Sequence, residues 1–166
     1  MRSKNFLDDL PDDMNNAWPW VCAIDAWDYN DAAPLAELIS IENIPEPLRP
    51  IVANIVGGVR LQKKKAAAKL KIPASERMKV AASLSCVLGL CDTIRLDIID
   101  TSYPGMKGAV MLSYRGVQDP IDIITEMRKE SAGAVQLAME EFGVSTETIE
   151  NLLRDLRKKI NNWPNV

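Results

Sequence analysis

Histidine is absent from all 166 residues, and with it go the Ser-His-Asp triad, the Cys-His pair, the imidazole general base and the histidine-ligated zinc site. Cysteine is scarce. Cys22, Cys86 and Cys91 are one thiolate short of a Cys₄ zinc site and form no pair of CxxC knuckles. An odd set of three, two of them in an apolar helix-like run, predicts reduced core thiols rather than a secreted disulfide framework. The sequence contains neither GxxxxGK[ST] nor GxGxxG, so nothing suggests a nucleotide cradle. The acidic pairs Asp8-Asp9 and Asp12-Asp13 lack the alternating oxygens and glycine turn of a calcium loop. No paired acids lie in apolar surroundings, where a carboxylate could act as a proton donor. The expectation is a protein that is not an enzyme, with no catalytic residue, no metal and no cofactor. Apolar runs stay well below the eighteen or so residues of a membrane span. The start, MRSKNFLDDLPDD, has no apolar stretch of the signal-peptide kind, so a cytoplasmic chain without a membrane partner is expected.

What is present suits an ordinary globular chain. The 47% hydrophobic and 26% charged residues sit at globular averages, and the length suffices for one core without a covalent staple. The net charge of −3 conceals a strong asymmetry. Residues 1–50 hold ten acids against three bases, whereas residues 51–79 hold eight bases against the single acid Glu76. Such a layout lets the acidic part fold back on the basic one, or lets the two ends face different partners.

Periodicity and punctuation predict a mostly α helical bundle in three regions: an acidic flexible arm over 1–17, a helical core over 18–118 with a basic segment at 60–79, and a helical region over 119–166. Order is expected to begin at Trp18, where Trp20, Val21, Ala23, Ile24 and Trp27 recur at helical spacing and Pro19 fits a first turn. Asp31 is placed to cap a second helix with Leu35, Leu38 and Ile39 inward, ending before Asn43. IPEPLRPIVANIVGG reads as a helix begun by proline and stopped by Gly57 and Gly58. The Lys-Ala run that follows favours helix but has no apolar face before Leu70, and Pro73 breaks it. Met78 to Leu90 is apolar on nearly all sides and predicts a central buried helix. The alternation in TIRLDIID admits a short β-hairpin near 93–114, with helix preferred over 109–115. Asp119 and Pro120 then open another helix.

The stretch AVQLAMEEFGVSTETIENLLRDLRKKI resembles a helix-turn-helix over about thirty residues. Its first helix stops at Gly143, where a tight turn needs positive φ. Val144 plugs the corner, Ser145 caps the second helix, and Ile149, Leu152 and Leu153 turn inward. Two features depart from the family pattern: Met139 stands where alanine is usual four residues before the glycine, and Glu147 and Glu150 occupy the base-facing turn. The wider layout, in AIDAWDYNDAAPLAELI and FGVSTETI, also resembles small uncharacterised proteins of phages and mobile elements.

The resemblance implies a DNA-binding protein that works as a homodimer, since one such unit reads few base pairs. Ser145, Thr146 and Thr148 would face the groove. Arg154, Arg157 and Lys158, with Lys63, Lys64, Lys65, Lys69 and Lys71 of the basic segment, would hold phosphates. The alternative is a protein-interaction module, such as an inhibitor of a host defence complex. It would act through an aromatic cluster of Trp18, Trp20 and Trp27, or through the acidic arm. Core anchoring is the plainer reading of those tryptophans, and a solvated face that of the lysines.

Overall fold

In a computed structural model the chain is described over residues 10–63, 70–99 and 120–166. Among these residues every regular element is helical and none is a strand. The helices are α1 (Asp12–Asn16), α2 (Trp18–Asp28), α3 (Ala33–Ile41), α4 (Arg49–Val56), α5 (Arg77–Ile99), α6 (Pro120–Phe142) and α7 (Thr146–Asn161), with a 3₁₀ turn at Glu46–Leu48 before α4. The protein is a mostly α helical bundle. No helix of the described residues is long and apolar enough to cross a membrane.

Proline and glycine set most of the boundaries. α2, α3 and α4 each carry proline in the first turn, where the missing N–H costs no helical hydrogen bond. Asp31 accepts from the Ala33 N–H at 3.3 Å just ahead of α3. After α4, Gly58 takes φ +71°, a conformation open to glycine at little cost.

Among the described residues, two apolar clusters make the core. The first gathers Met14, Trp20, Val21, Ile24, Leu35, Ile51 and Val52 from the first four helices and Leu48 from the 3₁₀ turn, and Val166 joins it. The second joins Cys22 and Ile72 to Met78, Ala81 and Leu84 of α5, and to Val144, Ile149, Leu152 and Leu156 of the C-terminal hairpin. Trp18 and Ile160 pack against both clusters. α5 touches α2, α6 and α7, so the hairpin shares its core with the N-terminal helices.

Three expectations need correction. Order reaches further toward the N-terminus than Trp18: α1 forms, and Met14 is fully buried as a member of the first cluster. The arm over 1–9 lies outside the described residues. The first arm of the suggested β-hairpin is helical, since 93–99 form the last two turns of α5. No proline or glycine interrupts the chain between Gly89 and Pro104, and Ile94, Ile98 and Ile99 also fit helical spacing. The rest of that hairpin, with 109–115, lies outside the described residues. Finally, α5 is not buried all round. Met78, Ala81, Leu84 and Cys91 are buried, but Val87 and Leu90 are exposed, because its neighbours leave part of its circumference uncovered.

Candidate nucleic-acid interface

The turn between α6 and α7 is made by Gly143 at φ +60°. The Val144 N–H donates to the Met139 carbonyl at 3.0 Å, and the Val144 side chain is buried in the second cluster. The Ser145 hydroxyl accepts from the Thr148 N–H at 3.3 Å, capping α7. The Thr146 hydroxyl donates to the Met139 sulfur at 3.4 Å, so the methionine at the helix crossing has a polar neighbour across the turn. α7 buries the stripe Ile149, Leu152, Leu156 and Lys159, while Leu153 is half-buried.

The opposite face of α7 is exposed, including Thr146, Thr148, Asn151, Arg154, Arg157 and Lys158. Among the described residues, Arg154, Arg157 and Lys158 make no ion pair. Glu147 and Glu150 occupy the exposed first turns, and Glu140 and Glu141 are exposed at the end of α6. The hairpin is therefore acidic around its turn and basic along the second half of α7. A helix C-terminus already favours cations, which accounts for part of this arrangement.

The basic segment is less free than its composition suggests. Lys64, Lys65 and Lys69 lie outside the described residues. Lys71 donates from Nζ to the Gly143 carbonyl at 2.6 Å, so this cation caps the C-terminal end of α6. Lys63 holds its ammonium 4.9 Å from the centre of the Tyr29 ring. Arg60 binds both carboxylate oxygens of buried Asp28, at 2.9 and 2.6 Å, and donates also to the Val166 carbonyl.

Beneath α7 lies a polar network that the sequence reading did not assign. Asp25 is 1% exposed and sits between two cations. Arg77 Nε donates to Asp25 Oδ2 at 3.2 Å, and Lys159 Nζ lies 3.2 Å from Oδ1, though not aligned as a hydrogen bond. Arg77 also donates to Asp155 Oδ2 at 2.8 Å and stacks 3.9 Å from the centre of the Tyr29 ring. The Tyr29 hydroxyl donates to the same Asp155 oxygen at 3.3 Å. Burial, aided by the carboxylates of Asp155 and Asp25 against the opposing Arg77, pushes the Tyr29 phenol up to about 12. Burial likewise pushes the Cys22 thiol up to about 12, so it stays protonated.

A polar cleft of about 260 Å³ opens above this network. Asp25, Asp28 and Asp155 line it with Arg60, Lys63, Lys158 and Lys159, and Asn162, Asn165 and Val166 complete the wall. No family model, curated protein or solved structure matches the chain.

The three tryptophans do not form one exposed cluster. Trp20 is 2% exposed and anchors the first core cluster, out of reach of a partner. Trp18 and Trp27 are half-buried and pack on that same cluster. Within the described residues, no group of three Cys, Asp or Glu side chains is arranged to hold a metal ion.

Proposed function

We propose that this chain is a non-enzymatic DNA-binding protein, with the α6–α7 hairpin acting as a helix-turn-helix and the exposed cations of α7 holding backbone phosphates. The observation that carries the reading is the division of α7. One stripe is buried in the core, and Arg154, Arg157 and Lys158 stand on the other side without ion-pair partners among the described residues. Unpaired exposed cations give up little when they meet a phosphate, whereas a cation already in an ion pair must first lose its partner. Glu147 and Glu150 repel phosphate near the turn, so the backbone contacts belong to the later turns of the helix and to Lys63. A homodimer would supply the second half-site.

The test is fluorescence anisotropy of a labelled mixed-sequence duplex at low and near-physiological salt, with wild type and with Arg154→Gln/Arg157→Gln. Micromolar binding that weakens with salt and drops in the variant supports the reading. Absence of binding at low salt sinks it.

One observation favours a second reading, a protein-interaction module. An apolar recess of about 580 Å³ is lined by Trp18, Pro19, Cys22, Leu38 and Ile41. A partner's apolar side chain would fit there, and Trp18→Ala would then abolish partner capture without affecting DNA.

A further inference from the structure

The cleft beside α7 contains more charge than its internal pairs consume. Arg60 neutralises Asp28 through both oxygens, while Arg77 and Lys159 answer Asp25, and Arg77 reaches Asp155 as well. Each of the three carboxylates thus has a cation against it. Two cations of the wall, Lys63 and Lys158, have no carboxylate partner among the described residues. Lys63 is steadied by the face of Tyr29, which attracts a cation yet leaves its charge intact. The last turn of α7 ends at this cleft, and its partial negative charge of about half a unit is outweighed by two full positive charges. Asn162 and Asn165 add carboxamides, which bring hydrogen-bond donors, and the Val166 main-chain oxygen that also lines the cleft is already held by Arg60.

We propose that this cleft is a seat for a phosphate group, held between the ammonium groups of Lys63 and Lys158 with the amides of Asn162 and Asn165 as neutral donors. The proposal deepens the DNA-binding reading and rests on it for the source of the phosphate, a backbone diester. Arg154 lies one turn before Lys158 on the same exposed side of α7, so a strand seated in the cleft would continue past it. A volume of about 260 Å³ admits a phosphate with an attached sugar. The same chemistry would accept a free phosphate compound, and the experiment separates the two sources.

The full-length chain, labelled with ¹⁵N, is titrated in parallel with inorganic pyrophosphate and with a short mixed-sequence duplex. The side-chain amide signals of Asn162 and Asn165 are followed in wild type and in Lys63→Gln/Lys158→Gln. Both lysines are exposed, so the variant is expected to keep the wild-type circular dichroism. The expected result is a shift of the Asn162 and Asn165 signals in wild type that disappears in the variant. For the duplex, the dependence of log affinity on log salt should become shallower by roughly two, about one per lost phosphate contact. Shifts with the duplex alone identify the backbone as the source. Shifts with pyrophosphate, in a protein that binds no duplex, uphold the seat and refute the DNA reading. If neither probe moves these amides, or the variant responds as wild type does, the seat is refuted even where the duplex binds elsewhere on α7.

Discussion

Asp25→Asn removes one charge from the centre of the fold and changes almost nothing in volume. The two cations against Asp25 do not suffer equally. Arg77 keeps Asp155 at 2.8 Å and the Tyr29 ring at 3.9 Å. Lys159, with a side chain 9% exposed, loses its only carboxylate among the described residues. Orphaning one member of a buried pair costs about 3–5 kcal/mol. Lys159 lines the cleft, so its flexible stem offers some escape toward water, which places the cost near the low end, about 3 kcal/mol. For a chain of this length that corresponds to a drop in melting temperature of roughly 6–12 °C. The second mutation, Lys159→Met, replaces the orphaned charge by an apolar chain of similar length, and the double variant should recover to within about 1 kcal/mol of wild type. Urea unfolding followed by circular dichroism gives all four corners of the cycle. A cost below about 1 kcal/mol for Asp25→Asn, or a double variant no better than the single one, would refute the argument that this pair is buried and coupled.

Other perturbations address separate parts of the fold. At Gly143 an added Cβ meets no atom within 4 Å, so Gly143→Ala should cost only the φ strain, about 1–2 kcal/mol, and Ser145→Ala about 1 kcal/mol through the lost cap; thermal melts of both check this. Trp20→Ala should cost about 3–5 kcal/mol by chemical denaturation, whereas Leu137→Ser, at a position 68% exposed, should stay within about 0.5 kcal/mol. Alkali should also destabilise the protein. The Cys22 thiol and Tyr29 phenol both rise to about 12 from ordinary values of 9.0 and 10.0, chiefly by burial, so the unfolded chain loses these protons first. The stability they contribute is intact below pH 9 and falls as pH climbs toward 12; Tyr29→Phe should flatten the part above pH 10 in urea melts.

Local chemistry was legible wherever backbone constraints act alone. Pro19 and Asp31 marked helix starts, and Gly143 with Ser145 marked the turn, because a fixed φ, an absent N–H or a capping hydroxyl acts over three or four residues. Met14 was misread because its neighbours are acidic, and composition around a residue does not reveal that the chain folds one apolar side chain under α2. TIRLDIID was misread because a short alternating run fits both periods, and the deciding factor is the unbroken helix before it. The ion network does leave a signal in the sequence. Lys159 continues the inward stripe of Ile149, Leu152 and Leu156 at helical spacing, and Asp25 stands inside the apolar run VCAIDAW. Two opposite charges at inward positions of separate helices are best explained by each other.

The same network changes what the basic segment is worth for binding. Of its described cations, Arg60 answers Asp28, Lys71 caps Gly143, Arg77 answers Asp25 and Asp155, and Lys79 lies 3.4 Å from Glu76. Only Lys63 has no anionic or carbonyl partner among the described residues, so the excess charge counted along the sequence overstates the charge open to a phosphate. On the proposed DNA-binding function the available set is then Lys63 with Arg154, Arg157 and Lys158, which would make four phosphate contacts. At about 0.9 per contact, the slope of log affinity against log salt should be roughly −3.6, a loss of about a hundredfold between 50 and 200 mM salt. Anisotropy titrations across that range measure it directly. A slope near −6 would show that cations outside this set carry much of the contact, the lysines of the 64–69 segment among them. A slope shallower than about −1 would leave room for a single phosphate and refute the basic face of α7 as the binding surface.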